Sequence, residues 1–218
     1  ELAKLGFVVC DINYRLCPVT DLKGQVQDVT AALQWIFDHI HQYVGDSEQI
    51  SVTGDSAGAQ LAFLVCAASA NEAYRRSYEI TSLSKPIKAL GLTCPVSCLH
   101  EMAKSQDEMT REWMQVLYGG EPEQSSLWNC SDYADILTDC KELPSIYILT
   151  TKGDQKYYRQ SLALHDLMNR KQIEHVYREW ESMENKDLGH VFNVLYPACQ
   201  DSRAANQEMV YFFLNVRR

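Results

Sequence analysis

The sequence is short of positive charge. Its 20 Lys and Arg stand against 29 Asp and Glu, a formal net charge of -9 at pH 7, with a sequence pI of about 5.1. Nucleic acids and anionic membrane surfaces attract basic patches, so neither is an expected partner. Long apolar runs are missing as well: none has the roughly 20 residues that a membrane-spanning helix needs, and no signal-peptide pattern is present. Cysteine is not scarce, at eight residues, but CxxC pairs and Cys/His clusters of zinc-like spacing are absent. No metal is therefore expected. The thiols read as reduced, several of them small hydrophobes inside elements, such as Cys10 and Cys66, and this predicts a cytoplasmic setting. No G-x-G-x-x-G follows a strand, which argues against a dinucleotide, and no other cofactor is implied. Internal repeats and low-complexity segments are also lacking. What remains is 46% hydrophobic and 22% charged, enough apolar surface for a sizeable core in a single domain over residues 1–218.

Along the chain, short apolar runs alternate with amphipathic ones. Strands are expected at residues 6–13 (GFVVCDIN, apolar throughout and so buried on both faces), 49–53, 87–93, 144–150 and 173–180. Helices are expected at 22–41, 61–70, 101–118, about 133–137, 157–171 and 203–216. Strand and helix in alternation predict an α/β domain with a mostly parallel sheet flanked by helices, and an active site at the carboxyl ends of the strands. Residues 99–140 break the rhythm as an insert. Met102, Met109, Trp113, Val116 and Leu117 could form one apolar face of its helix, lining an acyl pocket or packing on the core.

The chemistry centres on Gly54-Asp55-Ser56-Ala57-Gly58, between a predicted strand and a predicted helix. A G-x-S-x-G turn in that context is a nucleophile elbow, with glycines expected where only a minimal side chain fits. The bland alternative is a Gly-rich turn in which Ser56 caps the helix. A serine nucleophile needs a histidine base and an acid to orient it, in the chain order Ser, acid, His. Asp154 follows the 144–150 strand in TTKGD, and His190 follows the 173–180 strand in LGHVF. Asp154 could instead cap the next helix, and Asp187 is a weaker alternative acid. His39 and His41 precede the elbow, His100 precedes Asp154, His165 is mid-helix and His175 is within a strand; all five are assigned surface or packing roles. Ala57 supplies one oxyanion N–H at the helix start. A second donor of the HGGG type is not found in the 218 residues.

These residues together resemble the α/β-hydrolase superfamily. Within it the match is to the esterase/lipase branch, related to hormone-sensitive lipase and to bacterial xylan-esterase-like and kynurenine-formamidase-like hydrolases. VVCDINYRLCP is similar to the family's strand and YRLAP-type turn, QVQDVTAALQWI to its following helix, GDSAGAQLA to its elbow, TTKGD to its acid loop and LGHVF to its histidine loop. The resemblance covers nearly the whole chain. It implies Ser56 as nucleophile, Asp154 as acid, His190 as base, Ala57 as oxyanion donor and residues 99–140 as a lid-like insert. Tyr14, Arg15 and Asp28 are implied to be structural. The implied substrate is a small acyl ester, with an amide, formamide or peptide served by the same triad as the alternative. Two departures stand out. Asp154 is followed by Gln155-Lys156 rather than by Pro or an apolar residue. The chain also begins, without Met, after the family's oxyanion loop and first strands, which implies an N-terminally truncated domain that is catalytically impaired or non-catalytic. One missing oxyanion donor costs about 2.7–4 kcal/mol. An uncovered sheet edge would then invite pairing with a second copy.

Overall fold

The computed structural model describes residues 2–184 and 186–216; Glu1 lies outside the described residues. Four strands form one parallel sheet in sequential order: β1 (Ser51–Asp55), β2 (Ala89–Thr93), β3 (Ser145–Thr150) and β4 (His175–Glu179). The helices are α1 (Leu22–His39), α2 (Ala57–Ala70), α3 (Glu72–Tyr78), α4 (Leu99–Ala103), α5 (Glu108–Tyr118), α6 (Tyr133–Asp139), α7 (Tyr158–Arg170), α8 (Phe192–Leu195) and α9 (Gln200–Val216).

Successive strand side chains point to opposite faces, and this splits the core in two. Leu90, Leu92, Ile146 and Ile148 face a large cluster that takes in α1, α2 and α7. Ala89, Tyr147 and Leu149 face a smaller cluster with Phe192, Met209 and Phe213 from α8 and α9. Helix α2 lies buried over most of its length, which explains why it is apolar nearly all round. Helix α1 starts at Asp21, whose side chain accepts from the Gly24 N–H.

Three expectations need correction. Residues 6–13 are not part of the sheet: Gly6 is in a turn and 7–13 form no regular element, and Val8 and Val9 are 46% and 49% exposed, with Cys10 exposed beside them. A cavity of about 340 Å³ is lined by Phe7–Cys10 on one side and Ile50–Thr53 on the other. An apolar run becomes a strand only where a neighbour completes its ladder, and β1 lies across that gap. The single helix expected at 101–118 is two helices, because Asp107 caps a new start by accepting from the Thr110 N–H. That break removes Met102 from the proposed apolar face. Met109, Trp113 and Val116 are exposed, and α5 buries Met114 and Tyr118 instead. Helix α3 and the single turn α8 are additional to the sequence reading.

Arg15 and Asp28 form a two-pronged ion pair, with the Arg15 backbone N–H also donating to the carboxylate at 2.9 Å. That arrangement fits a structural role, fastening the segment before α1 to the helix. All eight cysteines are free thiols. Among the described residues, no helix is long and apolar enough to cross a membrane.

Candidate active site

Ser56, Asp154 and His190 follow β1, β3 and β4, so all three stand at the carboxyl end of the sheet. A larger cavity, about 1090 Å³, lies at the opposite end, against the first residues of β3 and β4, and holds none of them.

Ser56 has φ 52 and ψ -118, a left-handed conformation that a non-glycine residue adopts only under constraint. Its N–H donates to the Thr93 carbonyl at 2.9 Å, which continues the β1–β2 ladder into the turn. The hydroxyl makes no capping bond to α2, contrary to the bland alternative. Gly54 is required: a Cβ there would overlap the Gly58 carbonyl and lie 2.7 Å from the Ala59 nitrogen. Gly58 is not required on the same ground, since a Cβ at that position meets nothing within 4 Å. The expectation of steric need at both glycines therefore holds only at Gly54, the residue on which the turn closes. Ala57 is the first residue of α2, so its N–H has no intrahelical acceptor.

His190 and Asp154 are joined. The His190 Nδ1 lies 2.8 Å from Asp154 Oδ2, and the Asp154 side chain is wholly buried. A carboxylate can only accept, so Nδ1 carries the proton and Nε2 is left with a free lone pair. The other carboxylate oxygen accepts from the Tyr157 N–H at 3.0 Å, ahead of α7. This bond closes the turn that leads into α7, whose own N-cap is Tyr157, so Asp154 does not cap that helix, and its two contacts use different oxygens. The Tyr157 ring stands 5.0 Å from the imidazole, and the Lys156 ammonium sits over both Tyr157 and Trp113 of α5. Among the described residues no hydrogen bond joins Ser56 Oγ to His190; such bonds commonly tighten only when substrate is bound.

The other histidines lie elsewhere, His41 on the exposed surface and four with partners of their own. His39 meets the Trp35 carbonyl, His100 stacks on Trp128, and His165 pairs with His175. Asp187 is exposed and lies beside Gly153 rather than His190.

Two contributors escaped the sequence reading. Gly153 admits the histidine loop: a Cβ there would overlap the Leu188 carbonyl oxygen and lie 2.9 Å from its carbonyl carbon. Thr151 Oγ1 donates to that same oxygen at 3.2 Å. The second is Cys94, buried at the end of β2, whose sulfur lies within 4.8 Å of ligand-type atoms of both Asp154 and His190. The trio has the residue types of a metal site. Burial pushes the Cys94 thiol up to about 12, which keeps it protonated in the metal-free protein.

The chain belongs to the α/β-hydrolase fold family, whose model matches residues 1–193. It is 26% identical over 157 residues to the probable carboxylic ester hydrolase LipM of Mycobacterium tuberculosis, covering 71% of this chain and 35% of that protein. Arylacetamide deacetylase of Oryctolagus cuniculus is 42% identical over 64 residues, which is 28% of this chain and 16% of the relative. Among solved structures, esterase B from Lactobacillus rhamnosis matches with a TM-score of 0.85 and 26% identity, over 94% of this chain and 64% of the other. The chain therefore spans about a third of LipM and just under two thirds of esterase B.

Proposed function

We propose that the chain carries the nucleophile, acid and base of a carboxylic-ester hydrolase working through an acyl-enzyme. The observation that supports it most is the 2.8 Å contact between His190 and a buried carboxylate, in the same sheet-end as a left-handed Ser56. His190 Nε2 takes the Ser56 proton as Oγ attacks the ester carbonyl. The tetrahedral oxyanion is met by the Ala57 N–H, favoured by its position at the start of α2. His190 then protonates the leaving alcohol, and Asp154 stabilises the imidazolium formed in between. Water, activated by the same histidine, releases the acid.

Residues 99–140 are read as the lid-like part of a single domain, with α5 held near the acid loop by Lys156 between Trp113 and Tyr157. A small acyl ester is the proposed substrate. An amide is the second reading, favoured by the match to a protein named as a deacetylase of arylacetamides. The free thiols fit a reducing compartment such as the cytoplasm. The open edge of β1 would accept a second copy of the chain, visible as concentration-dependent dimerisation in sedimentation.

Turnover of p-nitrophenyl butyrate and labelling by a fluorophosphonate test the reading. Ser56→Ala is expected to abolish labelling and to lower kcat by roughly four to six orders of magnitude. A Ser56→Ala protein that keeps its activity, or a wild-type chain that is labelled elsewhere, would sink it.

A further inference from the structure

Cys94 stands at a junction that the triad does not account for. It follows β2 with φ 43, a left-handed conformation, and its N–H donates to the Leu149 carbonyl of β3 at 2.7 Å. A side chain held there costs free energy that glycine would avoid, so the surroundings must over-determine it. Val191, next to His190, is left-handed too, at φ 48. Three non-glycine residues at this end of the sheet, Ser56, Cys94 and Val191, thus have positive φ.

The sulfur has polar neighbours on every loop that matters. It lies within 4.8 Å of a carboxylate oxygen of Asp154 and a ring nitrogen of His190, and Asp154, Val191 and Thr150 are all close enough to bear on its titration. Thr150 Oγ1 is fully buried and has no partner of ordinary hydrogen-bond geometry among the described residues. Asp154, for its part, is a buried carboxylate with two donors, His190 Nδ1 and the Tyr157 N–H. A buried charge is tolerated when its oxygens are well satisfied, and a carboxylate has room for a third donor. A thiol is a weak donor that also accepts, so one sulfur can give its proton to Asp154 while receiving from Val191 and Thr150.

We propose that Cys94 is a positioning residue for the acid–base pair: its thiol donates to the Asp154 carboxylate and accepts from the backbone after His190, tying the acid loop to the histidine loop. Asp154 is thereby kept at the height and angle at which one oxygen meets Nδ1. The thiol does no covalent chemistry. Its proton stays on sulfur throughout, because burial and the neighbouring carboxylate both resist ionisation.

The inference rests on the ester-hydrolase reading of Ser56, Asp154 and His190, and two separate measurements test it. The first is the downfield proton resonance of the His190 Nδ1–H, which needs no turnover. Cys94→Ala is expected to shift or broaden it, and Cys94→Ser, which keeps a donor and an acceptor, to restore it. The second is kinetics on p-nitrophenyl butyrate. Cys94→Ala is expected to lower kcat roughly tenfold, the value of one hydrogen bond to a charged group, with KM unchanged and with Cys94→Ser recovering most of it. Should Cys94→Ala fail to fold, Thr150→Val removes one donor to the sulfur and is expected to move the same resonance. The proposal is overturned if the alanine variant keeps the wild-type resonance, if the serine variant departs as far as alanine, or if folded Thr150→Val leaves the signal in place. A wild-type chain that turns over no ester defeats the reading of function, while the resonance still decides the role of Cys94.

Discussion

Replacing Gly153 with alanine forces apart the two loops that hold Asp154 and His190. The added methyl carbon would overlap the Leu188 carbonyl oxygen, which is backbone and has no rotamer to escape into. Carbon and oxygen need more than 3 Å of separation, so the Leu188 peptide must retreat by about 1 Å. Leu188 lies two residues before His190, and Thr151 holds its carbonyl at 3.2 Å, so the imidazole moves with it. A displacement of 1 Å in a reacting group costs about a hundredfold in rate. Crowding of this kind costs about 1–3 kcal/mol of stability. Gly153→Ala is therefore expected to remain folded in urea titrations, while its kcat on p-nitrophenyl butyrate and its rate of fluorophosphonate labelling fall about a hundredfold. Gly189→Ala is the control: it is adjacent to His190, yet a Cβ there meets nothing within 4 Å, and near-wild-type rates are expected. A Gly153→Ala protein with wild-type kcat, or a Gly189→Ala protein that is equally impaired, refutes the close-approach argument.

Two further perturbations address the scaffold. His165 Nδ1 lies 2.7 Å from His175 Nε2, His175 Nδ1 faces the Ile173 carbonyl, and Asn169 donates to His165 Nε2 at 3.1 Å, a chain that is satisfied with both rings neutral. Burial, and then the neighbouring His175, push the His165 titration below its ordinary 6.5, so the unfolded chain binds more protons as pH falls from there. Stability is expected to decline below about pH 6.5, and His165→Asn to flatten that slope in thermal melts between pH 8 and pH 5.5; an unchanged slope removes the pair from the account. Asp201, at the start of α9, accepts from the Met183 N–H, the Trp180 indole and the Ser182 hydroxyl at 2.8, 2.9 and 3.0 Å. Burial raises its carboxyl, but these donors together hold it below the usual 3.8. Asp201→Asn is expected to cost about 1–3 kcal/mol in urea titrations at pH 7, with the difference shrinking as pH falls through the native carboxyl's titration; equal midpoints at pH 7 would show these three bonds to be idle.

The alternation of apolar strands with amphipathic helices was legible because each period is local, and β1 to β4 fall within a few residues of the runs that announce them. The meeting of Asp154 and His190 was legible for a topological reason: each lies in a polar loop after a strand, at the same end of the sheet. Residues 6–13 were misread because hydropathy reports burial only when a partner is in place, and their partner in a ladder is not encoded in their own composition. The break before α5 was readable in Ser105-Gln106-Asp107, a capping pattern that the continuous apolar spacing masked. Cys94 and Gly153 were not legible. Both act by what approaches them across the fold, and nothing in a neighbouring residue signals a carbonyl from the histidine loop or a carboxylate from the acid loop.

The sheet is laddered unevenly, and the reacting groups inherit that unevenness. Among the described residues β2 and β3 have neighbours on both sides, while β1 has one. Asp154 hangs from β3 and Ser56, the proposed nucleophile, from β1. In amide hydrogen exchange the outward-facing amides of β1 are expected to release first, and those of β3 among the last. Mild denaturant would therefore loosen the serine's footing while the Asp154–His190 pair is still intact, so that inactivation runs ahead of bulk unfolding. On the proposed reading, the site is expected to fail from Ser56 outward.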